Sequence, residues 1–145
     1  MKFRHGSGIL CCLLVVLPPH VDLLAADNYV SPESIAGATV INAEQLIGLV
    51  GSHDNLVIVD SRIREDHEEG YIEGSRHLVD RESSCASLSN LLPVKMTPVV
   101  FYCNGINCDR SDKAVVTALD CGYTRIYWFR GGIEEWRDKN YPLIQ

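Results

Sequence analysis

A cysteine ends an apolar segment in VVFYCNGINCDRSDKA, which covers residues 99–114. Cys103 follows four residues of strand type, and a loop with a second cysteine, Cys108, then leads into a segment that could open a helix. A thiol reacts as its thiolate, and backbone N–H groups and a helix N-terminus stabilise such an anion. The pattern therefore predicts that Cys103 is a nucleophile in an anion pocket.

The residues after Cys103 are the candidates for the pocket wall. Gly105 allows the backbone to turn without a Cβ clash, and Arg110 brings a full positive charge within one loop length. We expect the loop amides and Arg110 to hold a persulfide anion or an oxyanion such as thiosulfate. The predicted binding residues are Asn104, Gly105, Ile106, Asn107, Cys108, Asp109 and Arg110.

The sequence leaves three roles open for Cys108. It occupies a loop position without a chemical role, it closes a local disulfide with Cys103 across four intervening residues, or it resolves a persulfide. Resolution would release sulfide and leave a Cys103–Cys108 disulfide.

Other cysteine chemistries fit the spacing less well. A cysteine phosphatase usually has five residues between cysteine and arginine, whereas six separate Cys103 from Arg110, and Asp109 at the arginine position would repel phosphate. A thiol oxidoreductase usually separates its two cysteines by two residues rather than four. We expect no metal, because the two cysteines lack a second ligand pair and the histidines show no metal-ligand spacing.

Buried strands must position this thiol. Apolar runs without alternation, such as Leu56–Val59 and Val99–Tyr102, are typical of strands buried on both faces. Other strands are predicted at Thr39–Ile41, near His77–Val79 and in RIYWF, and helices after Asn42, in REDHEEG, at Ser84–Leu92, at Ser111–Cys121 and in GGIEEWRDKNYP. The alternation predicts an α/β domain with a central, mainly parallel sheet flanked by helices on both faces. Sites in such sheets form at the carboxyl ends of the strands, where Asp60 and Cys103 stand.

The first 26 residues differ from the rest of the chain. Lys2 and Arg4 precede an apolar run, Gly8–Leu17, and small residues precede Asp27. This layout is typical of a cleaved secretory signal, with an uncleaved membrane-associated helix as the alternative. We predict a signal peptide at residues 1–26, a domain at 27–145, and a secreted, periplasmic protein without stable membrane insertion after cleavage.

Charge and cysteine count limit the remaining possibilities. The net charge of -6, with scattered basic residues, argues against a nucleic-acid partner. A secretory signal and four remaining cysteines favour two disulfides. However, a domain of about 119 residues buries enough core without them, so we do not expect disulfides to be required. The sequence does not pair Cys85 with Cys121.

Three motifs give the mature chain a resemblance to the single-domain rhodaneses, a family of sulfurtransferases. IVDSRIREDHEEGYIEGSRHL resembles the first signature of that family, and VVFYCNGINCDRS resembles its active-site strand and loop. IYWFRGGIEEWRDKNYPL resembles its closing signature, and together the motifs span Val57 to Leu143 in the right order.

The resemblance implies a rhodanese-like fold and a sulfurtransferase without a cofactor. Sulfane sulfur would move from thiosulfate or a persulfide donor to a thiol or cyanide acceptor through a persulfide on Cys103. The implied partners are a small sulfur donor or a persulfide-carrying protein, and a thiol acceptor. Asp60 and Arg62 would hold the loop or cap neighbouring backbone. The resemblance also implies packing and turn roles for Gly131, Gly132 and Trp136.

The loop departs from the pattern of that family. Seven residues separate Cys103 from Ser111, which makes the loop one or two residues longer than usual, and Cys108 is an addition. The first signature also has His67 where an aromatic is usual and Tyr71 where a histidine is usual. A wider loop favours a persulfide, a polysulfide or a protein donor over thiosulfate. The alternative function is a non-catalytic rhodanese-like module that binds a partner or senses redox state through the Cys103/Cys108 pair.

Overall fold

The computed structural model describes residues 28–145, so the predicted signal peptide at residues 1–26 lies outside the described range. Strands and helices alternate along this part of the chain. The strands are β1 (Ala38–Ile41), β2 (Val57–Asp60), β3 (Arg76–His77), β4 (Val99–Tyr102) and β5 (Ile126–Phe129). The helices are α1 (Ala43–Ser52), α2 (Arg64–Glu68), α3 (Cys85–Leu91), α4 (Arg110–Asp120) and α5 (Gly132–Asp138), with a 3-10 turn at Asp80–Glu82.

The strands form one five-stranded sheet in the order β1-β5-β4-β2-β3. All of its neighbouring strands pair in parallel, which confirms the predicted fold class. β4 lies between β5 and β2, so its carboxyl end opens at the middle of the sheet. This is the edge at which parallel α/β sheets place their functional sites.

Both faces of the sheet are covered by helices, and β4 shows why its sequence lacks alternation. Val99 and Phe101 pack into a cluster with apolar residues of α3 and α4. Val100 and Tyr102 point to the opposite face and join a cluster with α1 and α5. Because all four side chains of β4 are fully buried, a polar residue is tolerated at none of them without a buried partner.

Local signals set the starts of two helices. Asn42 caps α1 in the predicted capping box, with reciprocal bonds between Asn42 and Gln45. Ser84 and Ser87 form a second box at the start of α3. Two predicted bounds shift slightly: α4 begins one residue before Ser111, and β3 is shorter because only two of its residues pair with β2.

A disulfide joins Cys85 to Cys121, with their Cα atoms 5.3 Å apart. The sequence left Cys85 and Cys121 unpaired and favoured no disulfide between them, so this bridge is an addition from the structure. The two cysteines meet because α3 packs against α4: Cys85 is the first residue of α3, and Cys121 directly follows α4. Within residues 28–145, we find no helix with the length and hydropathy needed to cross a membrane.

Candidate active site

Cys103 directly follows β4, but it is not the exposed thiolate that the sequence predicts. The residue is 1% exposed and forms a disulfide with Cys108, with the two Cα atoms 6.3 Å apart. Cys103 is therefore buried and has no free thiol. Of the three roles left open for Cys108, the structure shows the local disulfide, which is also the product that persulfide resolution would leave.

Most backbone N–H groups of the loop between the cysteines have no hydrogen-bond acceptor among residues 28–145. Cys108 donates its N–H to the Gly105 carbonyl at 3.1 Å, which closes a turn inside the loop. Within residues 28–145, the remaining loop amides donate to no protein acceptor; these are the N–H groups of Asn104, Gly105, Ile106, Asn107 and Asp109. The predicted amides are thus available to stabilise negative charge on a neighbouring sulfur.

The start of α5 fixes the backbone beneath Cys103. Ile133 and Glu134 donate their N–H groups to the carbonyls of Cys103 at 3.0 Å and Asn104 at 2.8 Å. Gly132 has a φ of +57°, and a Cβ there would collide with the Cys103 carbonyl oxygen. This close approach requires glycine, in agreement with the turn and packing role expected for the paired glycines.

Residues 29–32, which we call the strap, hydrogen-bond to the backbone of the cysteine loop. Ser31 donates its N–H to the Ile106 carbonyl at 2.7 Å and its hydroxyl to the Cys108 carbonyl at 3.3 Å. The Arg130 guanidinium donates hydrogen bonds to the strap, to the carbonyls of Ser31 at 2.8 Å and Pro32 at 2.7 Å. Tyr29 adds a hydrogen bond to the Asp112 carboxylate of α4. The strap thus limits how far the loop can open.

An open pocket of about 320 Å³ lies beside the loop. Cys108 contributes to its wall, whereas Cys103 does not. The other lining residues are Asp66, Asn104, Gly105, Asn107, Asp109, Arg110 and Glu134. With three carboxylates and one guanidinium, the wall is more acidic than the predicted anion pocket.

Arg110 lines this pocket, but its charge is shared. The guanidinium bonds Asp80 of the 3-10 turn at 2.9 Å, and its side chain is 34% exposed. The neighbouring Asp109 pairs with Lys113 one turn along α4. Arg110 therefore stands where the sequence predicts, yet a carboxylate already offsets part of the charge that was expected to bind an anion.

Asp60 and Arg62 form a buried ion pair at the end of β2. Asp60 is 0% exposed and Arg62 1% exposed, and their closest contact is 2.6 Å. Asp60 also accepts the Arg62 backbone N–H at 3.0 Å and the Tyr102 hydroxyl at 2.9 Å, and His67 lies 2.8 Å from it. Arg62 donates to the Gly70 carbonyl at 2.8 Å. The pair thus caps backbone, as expected, and holds α2 rather than the cysteine loop itself.

The hydrogen bonds around Asp60 set its protonation state. Burial alone would raise the pKa of the Asp60 carboxyl, but hydrogen bonds from Arg62 and its positive charge outweigh burial and hold that pKa below its usual range. Burial and the adjacent Asp60 charge raise the pKa of the Tyr102 hydroxyl. Asp60 is therefore an anion and Tyr102 a neutral donor near neutral pH.

α2 reaches the cysteine loop through one side chain that the sequence did not single out. Asn104 donates its amide group to the Asp66 carboxylate at 2.7 Å. Asp66, Glu134 and the strap at residues 29–32 were all missed by the sequence analysis. The hydrogen bonds of the strap involve mostly backbone carbonyls, which every residue has, so no sequence pattern predicts them. For Asp66, the only signal in the sequence was the acidic helix in the first motif.

A family comparison decides how this arrangement is classified. Residues 42–139 match the model of the rhodanese-like domain. The chain belongs to the rhodanese-like domain family. The match includes the cysteine loop, the buried Asp60 pair and the paired glycines, while the strap at residues 29–32 precedes it.

Relatives of this rhodanese-like domain are distant in sequence and similar in fold. The Uncharacterized protein YibN of Escherichia coli K12 is 28% identical over 107 residues, which cover 73% of this chain and 72% of that protein. The BH2092 protein of Bacillus halodurans superposes with a TM-score of 0.65 at 23% identity, over 74% of this chain and 77% of that one. A human single-domain sulfurtransferase superposes with a TM-score of 0.57 at 24% identity, over 70% of this chain and 97% of that one.

The family match shows a rhodanese-like domain, and the solved structures share its fold. The geometry adds that the cysteine after β4 lies against a loop with free amides. It also shows that the family's usual single cysteine has a disulfide partner here. In the absence of a free thiol, the site is in an oxidised state that must be reduced before Cys103 can react.

Proposed function

We propose that the protein is a sulfurtransferase that carries sulfane sulfur as a persulfide on Cys103. The observation that carries this proposal is the placement of Cys103 at the carboxyl end of the central strand, before a loop in which five backbone amides donate to no protein acceptor among residues 28–145. In the reduced protein, the Cys103 thiolate attacks the sulfane sulfur of thiosulfate or a persulfide. Sulfite or a thiolate leaves, and Cys103 retains the transferred sulfur.

Two routes can remove that sulfur. An acceptor thiol or cyanide attacks the outer sulfur and regenerates the Cys103 thiolate. Alternatively, the Cys108 thiolate attacks Sγ of Cys103, hydrosulfide leaves, and the disulfide seen in the structure forms. In the second route, the sulfane sulfur is reduced to sulfide while the two cysteine thiols are oxidised.

The wall charges favour one donor class. Asp66, Asp109 and Glu134 line the pocket, and Arg110 already pairs with Asp80. Thiosulfate carries two negative charges and would be repelled more strongly than a persulfide with one charge. A persulfide on a neutral or basic peptide or protein is therefore the favoured donor. Raising the salt concentration should improve the use of thiosulfate relative to that of such a persulfide.

Sulfur transfer by the reduced protein tests the nucleophile. Wild type and Cys103→Ser are compared in thiosulfate:cyanide and persulfide:thiol assays, with the Cys85→Ser/Cys121→Ser variant as a control that keeps the loop cysteines. We expect Cys103→Ser to fall to the uncatalysed rate and the control to retain transfer. Full activity in Cys103→Ser would refute the assignment.

Mass spectrometry after loading with donor tests the role of Cys108. We expect wild type to release sulfide and form the Cys103–Cys108 disulfide, whereas Cys108→Ser accumulates a persulfide on Cys103. A stable persulfide in wild type, with no disulfide, contradicts the resolving role.

The disulfide specifically favours a second candidate, a rhodanese-like module that senses redox state or binds a partner through the Cys103/Cys108 pair. In the oxidised form, Cys103 is 1% exposed and its thiol is unavailable. This candidate predicts negligible turnover by the reduced protein with or without Cys108, which the same assays measure.

We also propose that the protein acts in the periplasm. The signal-like pattern of residues 1–26 supports this location, and so do two disulfides, which persist in oxidising compartments. Fractionation of cells that express the full chain, with the mature N-terminus sequenced, tests it. Recovery of uncleaved protein in the cytoplasm would contradict it.

A further inference from the structure

The two cysteines of the Cys103–Cys108 bridge differ in exposure. Cys103 is 1% exposed, and the start of α5 packs against its backbone through Gly132 and the Ile133 N–H. Cys108 is half-buried and forms part of the pocket wall. An external molecule can therefore approach the bridge from the Cys108 side.

Thiol–disulfide exchange requires approach to one particular sulfur. The attacking thiolate comes in line with the S–S bond, opposite the sulfur that leaves, so access decides which cysteine is attacked. We propose that an external thiol reduces this bridge by attacking Cys108 from the pocket and that Cys103 is the leaving thiolate. The inference concerns exchange at the bridge alone and does not depend on sulfur transfer.

The loop suits Cys103 for the role of leaving group. When the S–S bond breaks, its electron pair stays on Cys103, at the start of a loop in which the N–H groups of Asn104 and Gly105 donate to no acceptor among residues 28–145. Cys108 instead has its own N–H engaged with the Gly105 carbonyl. A more stabilised thiolate leaves faster, which favours the same direction of attack as access does.

The complete reaction needs a dithiol reductant. The first thiolate of the reductant forms a mixed disulfide with Cys108 and frees Cys103. The second thiolate then attacks the reductant sulfur of that mixed disulfide, which closes the reductant's disulfide and frees Cys108. The reductant loses two electrons, the bridge gains them, and the two thiol protons of the reductant end on Cys103 and Cys108. The protein thereby becomes a substrate for dithiol proteins as well as a sulfur carrier.

A monothiol lacks the second thiol that completes the reaction within one reductant molecule, so its mixed disulfide with the protein can be trapped, and this tests the proposal. The oxidised wild-type protein is mixed with 2-mercaptoethanol, without any sulfur donor, and aliquots are quenched with N-ethylmaleimide over time. Trypsin releases residues 96–110 as one peptide with both cysteines, and fragmentation assigns each adduct. We expect mercaptoethanol on Cys108 and N-ethylmaleimide on Cys103.

Two outcomes overturn the proposal. One is a mixed disulfide on Cys103, and the other is reduction of the bridge with no mixed disulfide on Cys108 at any time point. Because no sulfane sulfur is present, a protein that fails the sulfur-transfer assays can still pass this test. Failure here likewise leaves the transfer assays to decide the proposed function.

Discussion

Two disulfides in one small domain occupy very different surroundings. Cys85–Cys121 spans 36 residues of sequence and links the first residue of α3 to the residue after α4. Cys103–Cys108 spans 5 residues and closes a loop beside an acidic pocket. The first joins two helices that already pack together, and the second covers the cysteine at the end of the central strand.

The two bridges also differ in how much each is expected to stabilise the fold. A disulfide stabilises the fold by restricting the unfolded chain, and a longer closed loop gives a larger effect. In the chain-entropy model the stabilisation is about 4 kcal/mol for Cys85–Cys121 and about 2 kcal/mol for Cys103–Cys108. The short bridge thus contributes less to the fold and can be broken at lower cost. The short bridge also lies beside amides that donate to no protein acceptor among residues 28–145 and beside a pocket whose wall includes Cys108.

Removal of the long bridge should give the largest effect on stability. We expect Cys85→Ser/Cys121→Ser to lower the free energy of unfolding by about 4 kcal/mol, since the unfolded chain gains freedom. Denaturation by guanidinium, monitored by tryptophan fluorescence, measures this. Sulfur transfer per folded molecule should not change, and a large loss of transfer in fully folded protein would break the separation between the two bridges.

Asp60→Asn probes the buried ion pair that holds α2. It leaves Arg62 buried without a charged partner, so we expect a loss of about 3 kcal/mol at neutral pH. A carboxyl with a depressed folded-state pKa stabilises the protein above its unfolded pKa of about 4, and this stability is lost as the pH falls through the folded-state value. Wild type should therefore lose stability on acidification below about pH 4, and Asp60→Asn should lack that component.

Urea denaturation between pH 2 and pH 7 provides the measurement. The Cys85→Ser/Cys121→Ser variant is the control, because removal of a disulfide should lower the curve without changing its pH dependence. An acid slope of the same size in Asp60→Asn as in wild type would contradict the role assigned to this carboxylate.

The sequence predicted those parts of the molecule that depend on local signals. The buried strands follow from unbroken apolar runs, and the start of α1 follows from the Asn42/Gln45 capping box. The position of Cys103 at a strand end follows from the same runs. These features depend on residues within a few positions of one another, so a single sequence suffices.

Features that depend on distant contacts could not be predicted. The Cys85–Cys121 pair needs α3 and α4 in their packed positions, and the Arg110–Asp80 pair needs the 3-10 turn beside the loop. The sequence left the Cys103–Cys108 bridge as one of three possibilities for Cys108. The strap on the loop bonds to carbonyls, which all residues have.

Loss of the short bridge should cost less than loss of the long one. We expect Cys103→Ser/Cys108→Ser to lower the free energy of unfolding by about 2 kcal/mol, because only a small loop is released in the unfolded chain. The same guanidinium experiment compares both double variants directly. If the short bridge contributed as much as the long one, the loop would be a structural element, and its chemical role would lose support.

The strap at residues 29–32 should affect only the short bridge. Arg130→Ala removes the two hydrogen bonds that hold the carbonyls of Ser31 and Pro32, and through Ser31 it loosens the loop at Ile106 and Cys108. If the lost hydrogen bonds stabilised the closed loop by about 1 kcal/mol, the Cys103–Cys108 bridge should be reduced about fivefold faster. Timed reduction with 2-mercaptoethanol, read separately on the peptides of each disulfide, measures this rate.

Arg125→Ala is the matched control. The Arg125 guanidinium hydrogen-bonds His53 at 2.9 Å, and within residues 28–145 it makes no hydrogen bond to the strap. Arg125→Ala should leave the reduction rate of Cys103–Cys108 unchanged. Neither Arg125→Ala nor Arg130→Ala should accelerate the reduction of Cys85–Cys121. Equal acceleration at both bridges in Arg130→Ala would indicate general destabilisation. Acceleration confined to Cys103–Cys108 would instead show that the strap controls access to Cys108, because it restrains the carbonyl of that residue and not the fold as a whole.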